Sequence, residues 1–379
     1  MANNVVIFYG SKKDFEVFVS DRITDEQLTI PFMELIQHDN ARLRPNESGV
    51  RESALSDNIQ VDNCIVRADD YGSVLEHVLS NFVNIVTLNH DIVTLYVHNP
   101  PRKVRDSLRS FYEDNIEYHY TDYIPVTRDK LKEVYKNLNS DILGQTQCKK
   151  RIIGGMYRLI SKESNKPVVL MLYGPSGVGK TESAKSISKT MGGELLRVQF
   201  SMMQTNEAYN YVFGTEHSKG SFAKDMMMRE SNVVLIDEFD KVNPSFYTAF
   251  YELFDEGRYV DTNYDVNLGQ AIFILTCNFA SEDEIKKALG PAMFSRIGHC
   301  VEYEELTTEQ KITIINNWYN LLLQTLKEDE VEVIRKTNIL KWFTQNAERY
   351  DNVRILKTKL ENAIFEKLSE VFIISERNT

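Results

Sequence analysis

Cysteine is scarce in this sequence. Cys64, Cys148, Cys277 and Cys300 are the only four among 379 residues. None belongs to a CxxC pair, and their neighbours lack metal-ligand spacing, so no zinc module is written here. Four isolated thiols point instead to a reducing compartment. No apolar run approaches the roughly 18 residues of a membrane span. The opening residues, "MANNVVIFYGSKKDFEVF", lack a basic leader followed by an apolar stretch. The cytoplasm is therefore the expected location. Excess positive charge is missing as well. With a net charge of −11 the chain offers no basic face for nucleic acid. The local run "PPRKVRDSLR" (100–109) reads as a solvated helix face. Internal repeats and low-complexity tracts are also absent.

Hydrophobic residues make up 42% and charged residues 26%, ordinary values for a globular chain long enough for two or three domains. Residues 1–126 alternate strand and helix signals. "NVVIFY" (4–9), "DIVTLYVH" (91–98) and "IEYHYTDYI" (116–124) read as strands. "YGSVLEHVLSNFVNIV" (71–86) and "RKVRDSLRSFYED" (102–114) read as helices, and the polar stretch 37–63 as a long loop. This is an α/β domain of unknown type. Residues 127–304 again alternate strands and helices. Residues 305–379 read as a smaller helical domain, opening at an N-cap on Thr307 or Thr308 with Gln310 in the first turn.

The chemistry concentrates in "LYGPSGVGKTES" (172–183). Gly174, Pro175, Ser176, Gly177, Val178, Gly179, Lys180 and Thr181 match GxxxxGK[ST] at every fixed position. Glycines let backbone N–H groups turn inward around phosphate oxygens, and the following helix adds its positive end. Lys180 is placed to reach the β- and γ-phosphates of a nucleotide, and Thr181 to offer its hydroxyl to Mg²⁺. The apolar run "VVLMLY" before it and "TESAKSISKTM" after it supply strand and helix. A second apolar run, "NVVLIDEFDKV" (232–242), delivers Asp237 and Glu238 at a strand end. Asp237 suits Mg²⁺, and Glu238 the polarisation of an attacking water. A third, "AIFILTCN" (271–278), ends in Asn278, which suits either the lytic water or the γ-phosphate, or a plain turn.

Together these segments resemble an AAA+ ATPase of the Clp unfoldase branch over about 127–375. The resemblance implies a P-loop core of parallel sheet and flanking helices, followed by a helical small domain. It identifies 174–181 as Walker A and 233–238 as Walker B. "ILGQTQCKKRI" (142–152) is similar to the segment that flanks adenine, which puts Ile142 and Leu143 beside the base. The long stretch from Lys241 to Asn278 matches at Lys241, Pro244, Asp255, Gly257, Arg258 and Asp261, and makes Asn278 the sensor 1 residue. "GPAMFSRIGHC" places Arg296 at the arginine-finger position, reaching a neighbouring subunit's γ-phosphate. "YDNVRILKTKL" places Arg354 at sensor 2, although Asn352 and Ile355 replace the family's glycine and proline.

A finger acting across subunits implies a homo-oligomer, by resemblance a hexameric ring, working with ATP and Mg²⁺ on a protein substrate. The gripping loop of such motors corresponds to "NEAYNYVFGTEHSKGSFA" (206–223), where Tyr211 and Phe213 either face a pore or pack beneath the loop. Gln199 and Met202 stand where the family carries acidic residues. There is one ATPase module, and no I/L-G-F/L tripeptide for docking on a protease. Residues 1–126 are expected to recognise a substrate or partner. A nucleotide-gated signalling scaffold is the alternative, and a DNA-acting loader is opposed by the acidic balance.

Overall fold

The computed structural model describes residues 2–43, 60–88, 90–113, 115–161, 166–203, 205–217 and 219–374. Its twelve described strands are β1 (Asn4–Tyr9), β2 (Thr29–Pro31), β3 (Gln60–Val66), β4 (Asp91–His98), β5 (Ile116–Tyr120), β6 (Val168–Tyr173), β7 (Leu196–Gln199), β8 (Val233–Asp237), β9 (Arg258–Val260), β10 (Asp265–Asn267), β11 (Ile272–Thr276) and β12 (His299–Glu302). The first five form one sheet in the order β2-β3-β4-β1-β5, with every pairing parallel. A second five-stranded parallel sheet runs β12-β6-β11-β8-β7, and β9 and β10 make an antiparallel hairpin. Strands so connected need helical crossovers, and the helices cover both faces.

In β6 the side-chain alternation is easily followed. Val169, Met171 and Tyr173 join the aromatic-rich core on one face, while Val168, Leu170 and Leu172 join the core on the other. All six residues are buried. A short central strand covered on both sides therefore reads as one continuous apolar run. Helices Thr308–Thr325, Glu328–Arg335, Ile339–Gln345 and Val353–Ser369 form a separate bundle around Ile315, Phe343, Leu356 and Leu360. Thr307 caps the first of them in a reciprocal pair with Gln310, as predicted.

Two sequence expectations need correction. The predicted helix over 71–86 is broken: Asp70–Ser73 is a 3-10 turn, Glu76–Ser80 a short α-helix and Val83–Leu88 a wide π turn. The short helix ends at Asn81, whose backbone leaves the helical region at φ −114° and ψ 25°; its N–H makes the last helical bond to His77 O, and its Nδ2 donates to the same carbonyl at 2.9 Å. The polar stretch 37–63 is not all loop. The helix begun by the buried Phe32 and Leu35 continues to Leu43, and β3 begins at Gln60; residues 44–59 lie outside the described residues.

The β2-β3-β4-β1-β5 sheet, here the front sheet, docks on the β9–β10 hairpin. The Arg102 backbone N–H donates to Asn263 O at 2.7 Å, and its Nη2 donates to Asp261 O and Thr262 O at 2.9 Å each. The buried His217 imidazole lies 2.8 Å from Val74 O and 2.7 Å from Glu76.

At the end of β4, His98 is 1% exposed, stacked on Phe15 at 4.4 Å, with Nε2 2.9 Å from Gly10 O. Burial pushes its imidazole down to about 4. A histidine held below its unfolded value, about 6.5, is neutral in the folded state while the unfolded chain takes up a proton. Its contribution is whole above pH ~6.5 and drains away as pH falls toward about 4. Urea unfolding at pH 7 and pH 5 is expected to differ by about 2 kcal/mol more in the parent than in His98→Gln. Equal pH dependence in the two would remove His98 as the cause.

Candidate functional site

The glycine-rich turn leaves the C-terminal end of β6 and enters the helix Lys180–Met191. Gly174, Gly177 and Gly179 have φ of +120°, +81° and +108°, which side-chain-bearing residues rarely adopt. Packing adds a second reason at Gly174, where a Cβ would stand 2.2 Å from Tyr303 O. Gly179 is the helix N-cap in left-handed conformation and has no side-chain cap bond, so the first-turn N–H groups are left to face outward.

Lys180 is buried, at 8% exposure. Its Nζ donates to Gly174 O at 2.5 Å, Pro175 O at 2.7 Å and Asn278 Oδ1 at 3.1 Å. All three acceptors are neutral. No carboxylate lies within ion-pair distance of it among the described residues, and burial pulls its pKa below the usual lysine range. A desolvated ammonium held by neutral oxygens is short of an anion. Thr181 follows in the first turn, half-buried, Ser176 is exposed at the tip of the turn, and Val178 is buried.

Strand order then brings the acidic pair alongside. β8 and β6 both flank β11, and Asp237 ends β8 at 6% exposure. The Thr276 hydroxyl, at the end of β11, donates to Asp237 Oδ1 and accepts from the Glu238 backbone N–H at 3.0 Å. From β7, Arg197 Nη2 and Nε donate to Asp237 Oδ2 at 2.6 and 3.0 Å. Glu238 has φ +54° and ψ 47°, an uncommon setting for a side-chain-bearing residue. Its Oε2 accepts from Ser201 Oγ at 2.5 Å and Gln199 Nε2 at 3.0 Å. Gln199, which departs from the family's acidic pattern, thus touches Glu238 directly. A buried carboxylate at a strand end is a ligand type suited to Mg²⁺, which keeps most of its own water, but here Oδ2 is held by Arg197 and Oδ1 by Thr276, so holding the metal would exchange one of these bonds for it.

Ile142 also reaches the turn, while Leu143 follows it half-buried with no contact to the turn among those described. Ile142 is buried, and its Cγ2 would be 3.4 Å from a Cβ on Gly179. Lys149 Nζ fixes that segment by donating to Ile142 O at 2.6 Å. The helical bundle closes the other side: at Gly177 a Cβ would meet Asn352 Oδ1 at 2.5 Å. Despite replacing a glycine, Asn352 caps the helix Val353–Ser369 by accepting from Arg354 N at 2.8 Å. Arg354 is exposed one residue into that helix.

Arg296 is not brought to the turn of its own chain. Its Nε pairs with Asp255 at 2.8 Å, its Nη1 donates to Ala292 O at 2.6 Å, and its guanidinium lies 4.2 Å from the Tyr251 ring centroid. The two aromatics left open by the sequence are packed inward. Both end the helix Thr205–Phe213. Tyr211 Oη donates to Asp225 at 2.6 Å while its ring meets Phe200 and Phe222, and Phe213 lies against Tyr209 and Phe246. Sequence reasoning missed Arg197 and Thr276. The available signal was a polar residue within each of two strands that end beside the acidic pair.

Comparison with known proteins is consistent with this geometry. The model of the AAA domain (Cdc48 subfamily) matches residues 165–328. The chaperone protein ClpB of Malacoplasma penetrans is 23% identical over 281 residues, covering 66% of this chain and 40% of its own. The ATP-dependent Clp protease ATP-binding subunit ClpL of Staphylococcus aureus is 25% identical over 273 residues, covering 65% and 39%. The chain thus spans about 40% of the length of these curated relatives. Among solved structures, a closed-state cryo-electron microscopy reconstruction of Hsp104 with ATPγS and FITC casein aligns with a TM-score of 0.55 at 14% identity. That alignment covers 97% of this chain and 88% of that one, a likeness of fold. No helix among the described residues is long and apolar enough to cross a membrane.

Proposed function

We propose, from the premise that this chain carries an AAA+ ATPase module of Clp type, that it hydrolyses Mg·ATP between the subunits of a ring and uses the cycle to remodel a protein partner. The observation that carries the hydrolytic part is the buried Lys180 ammonium, held only by neutral oxygens within a glycine turn beside Asp237 and Glu238. In this reading Gly174 to Gly179 wrap the phosphates, and Ile142 and Leu143 flank the base. Thr181 and Asp237 hold Mg²⁺, which offsets phosphate charge. Glu238 orients the water and Asn278 fixes it against the γ-phosphate. Arg354, carried by the bundle that leans on Gly177, reports nucleotide to the small domain. Residues 1–126 recognise the partner.

Arg296 serves the neighbouring subunit, exchanging Asp255 for phosphate. Arg296→Ala is expected to keep ATP binding and lose at least about a hundredfold in turnover. Mixed with Glu238→Gln subunits, it is expected to regain activity, because some interfaces then join an intact Glu238 to an intact Arg296. Phosphate release that stays at background at every mixing ratio would refute the pairing.

A nucleotide-gated scaffold that switches a partner without threading is the second reading. It is favoured by the inward packing of Tyr211 and Phe213, which takes both rings away from a gripping role.

A further inference from the structure

We infer that the cleft between the front sheet and the β9–β10 hairpin binds a second small anionic ligand with a planar ring, chemically a nucleotide, at a site separate from the glycine turn. The cleft has a volume of about 570 Å³, within the range of small-molecule sites. None of the residues assigned to the phosphate turn lines it. One wall is formed by Tyr9, Gly10, Tyr120 and Thr121, at the carboxyl ends of β1 and β5. The crevice outside those strand ends is where open parallel sheets take their ligands. The opposite wall is the hairpin, with Arg258 and Asp265, and Arg229 lies between them.

The charges call for an anion. Arg105, Arg109, Arg229 and Arg258 line the cleft against Asp265 and Glu256, a local positive excess in a chain of net charge −11. Arg258 is matched by Asp265 at 2.9 Å and Glu252 at 3.1 Å, and Arg105 by Asp106 at 2.8 Å. Arg229 is not matched. It is 7% exposed, and its guanidinium donates to Met226 O at 2.7 Å and Asn232 Oδ1 at 3.0 Å, both neutral. Its Nε has no hydrogen-bond partner, and no carboxylate comes within ion-pair distance among the described residues. A buried, uncompensated guanidinium at a cavity wall is costly unless an anion completes it. Arg109, exposed 6.0 Å from the Tyr118 ring centroid, is likewise without an ion pair among the described residues.

The ring requirement comes from the tyrosines. Tyr9, Tyr118, Tyr120 and Tyr123 all line the cleft. Tyr120 is 66% exposed and stacks on Tyr9 at 5.7 Å and 24°, leaving its other face open to a base. Arg229 already stacks on Tyr123 at 4.3 Å, so cation and ring chemistry meet on one wall. The Tyr9 hydroxyl is protonated at neutral pH, as an ordinary tyrosine is, and burial raises it further, so it is a donor to phosphate oxygen.

The test uses the full chain carrying Lys180→Ala, without Mg²⁺, so that the glycine turn does not contribute. N-methylanthraniloyl-GMP is titrated by fluorescence anisotropy, with GMP and guanosine as competitors. Saturable binding is expected. It should weaken at least about tenfold in Arg229→Met and in Arg109→Gln, and severalfold in Tyr120→Ala. Arg109 and Tyr120 are exposed, so those variants fold even if Arg229→Met does not. GMP is expected to compete where guanosine does not. No saturable binding to about 1 mM would overturn the site. So would unchanged affinity in both Arg109→Gln and Tyr120→Ala, or guanosine competing as well as GMP.

Discussion

Glu238→Gln is expected to bind ATP as tightly as the parent while turning it over at least about a hundredfold more slowly. The substitution keeps shape and removes one negative charge from the position where a water must be polarised. Its surroundings make the comparison clean. The backbone at Glu238 is held by its N–H bond to Thr276 Oγ1, which does not involve the side chain. Ser201 Oγ can still donate to a glutamine oxygen as it does to Oε2. The residue already sits at φ +54°, a cost that glutamate and glutamine bear alike. Binding and fold are therefore expected to survive, and the loss falls on the chemical step. Phosphate release at saturating Mg·ATP, set beside equilibrium ATP binding, separates the two. Parental turnover in this variant would remove Glu238 from the water-activating role.

Gly174→Ala is expected to abolish nucleotide binding through geometry alone. One methyl group would stand 2.2 Å from Tyr303 O, a backbone atom at the end of the edge strand β12. That atom cannot swing aside, because the Tyr303 N–H is itself bonded to Tyr173 O at 2.8 Å and the ring is buried, with its hydroxyl donating to Ser183 Oγ at 2.7 Å. The backbone must also hold φ +120°. Strain of this kind costs on the order of 1–3 kcal/mol per residue, and relieving it would turn the Gly174 carbonyl away from Lys180. Gly154→Ala is the matched control. It lies in the helix Thr146–Tyr157 with nothing within 4 Å of an added Cβ, and is expected to stabilise the chain by about 0.5–1 kcal/mol. Calorimetric ATP binding and thermal unfolding of the two variants test the contrast. Undiminished ATP affinity in Gly174→Ala would count against the turn as the phosphate site.

The glycine turn between β6 and the following helix was legible because its demands are local. Three glycines, a lysine and a threonine must lie close in sequence for the backbone to curl as it does, and buried parallel strands announce themselves as apolar runs. What was not legible depends on which strands become neighbours. Arg197 finds Asp237, and Gln199 finds Glu238, only because β7 pairs with β8 in a register that sets Gln199 opposite Asp237. Nothing in "RVQF" alone announces that partner. The break at 74–83 was hidden for a different reason: its apolar spacing suits a helix, and that spacing does not show the Asn81 backbone turning out of the helical region. Tyr211 and Phe213 were ambiguous because an aromatic that grips and an aromatic that packs have the same sequence. Here Asp225, fourteen residues beyond Tyr211, holds that ring inward, and Phe246 packs against Phe213.

The seam where Arg102 and His217 fasten the front sheet to the hairpin has a mechanical meaning. It is bolted at backbone carbonyls on two separate segments, 74 and 261–263. A joint made at main-chain atoms outlasts any exchange of the side chains around it, so the first sheet and the hairpin are expected to turn as one piece.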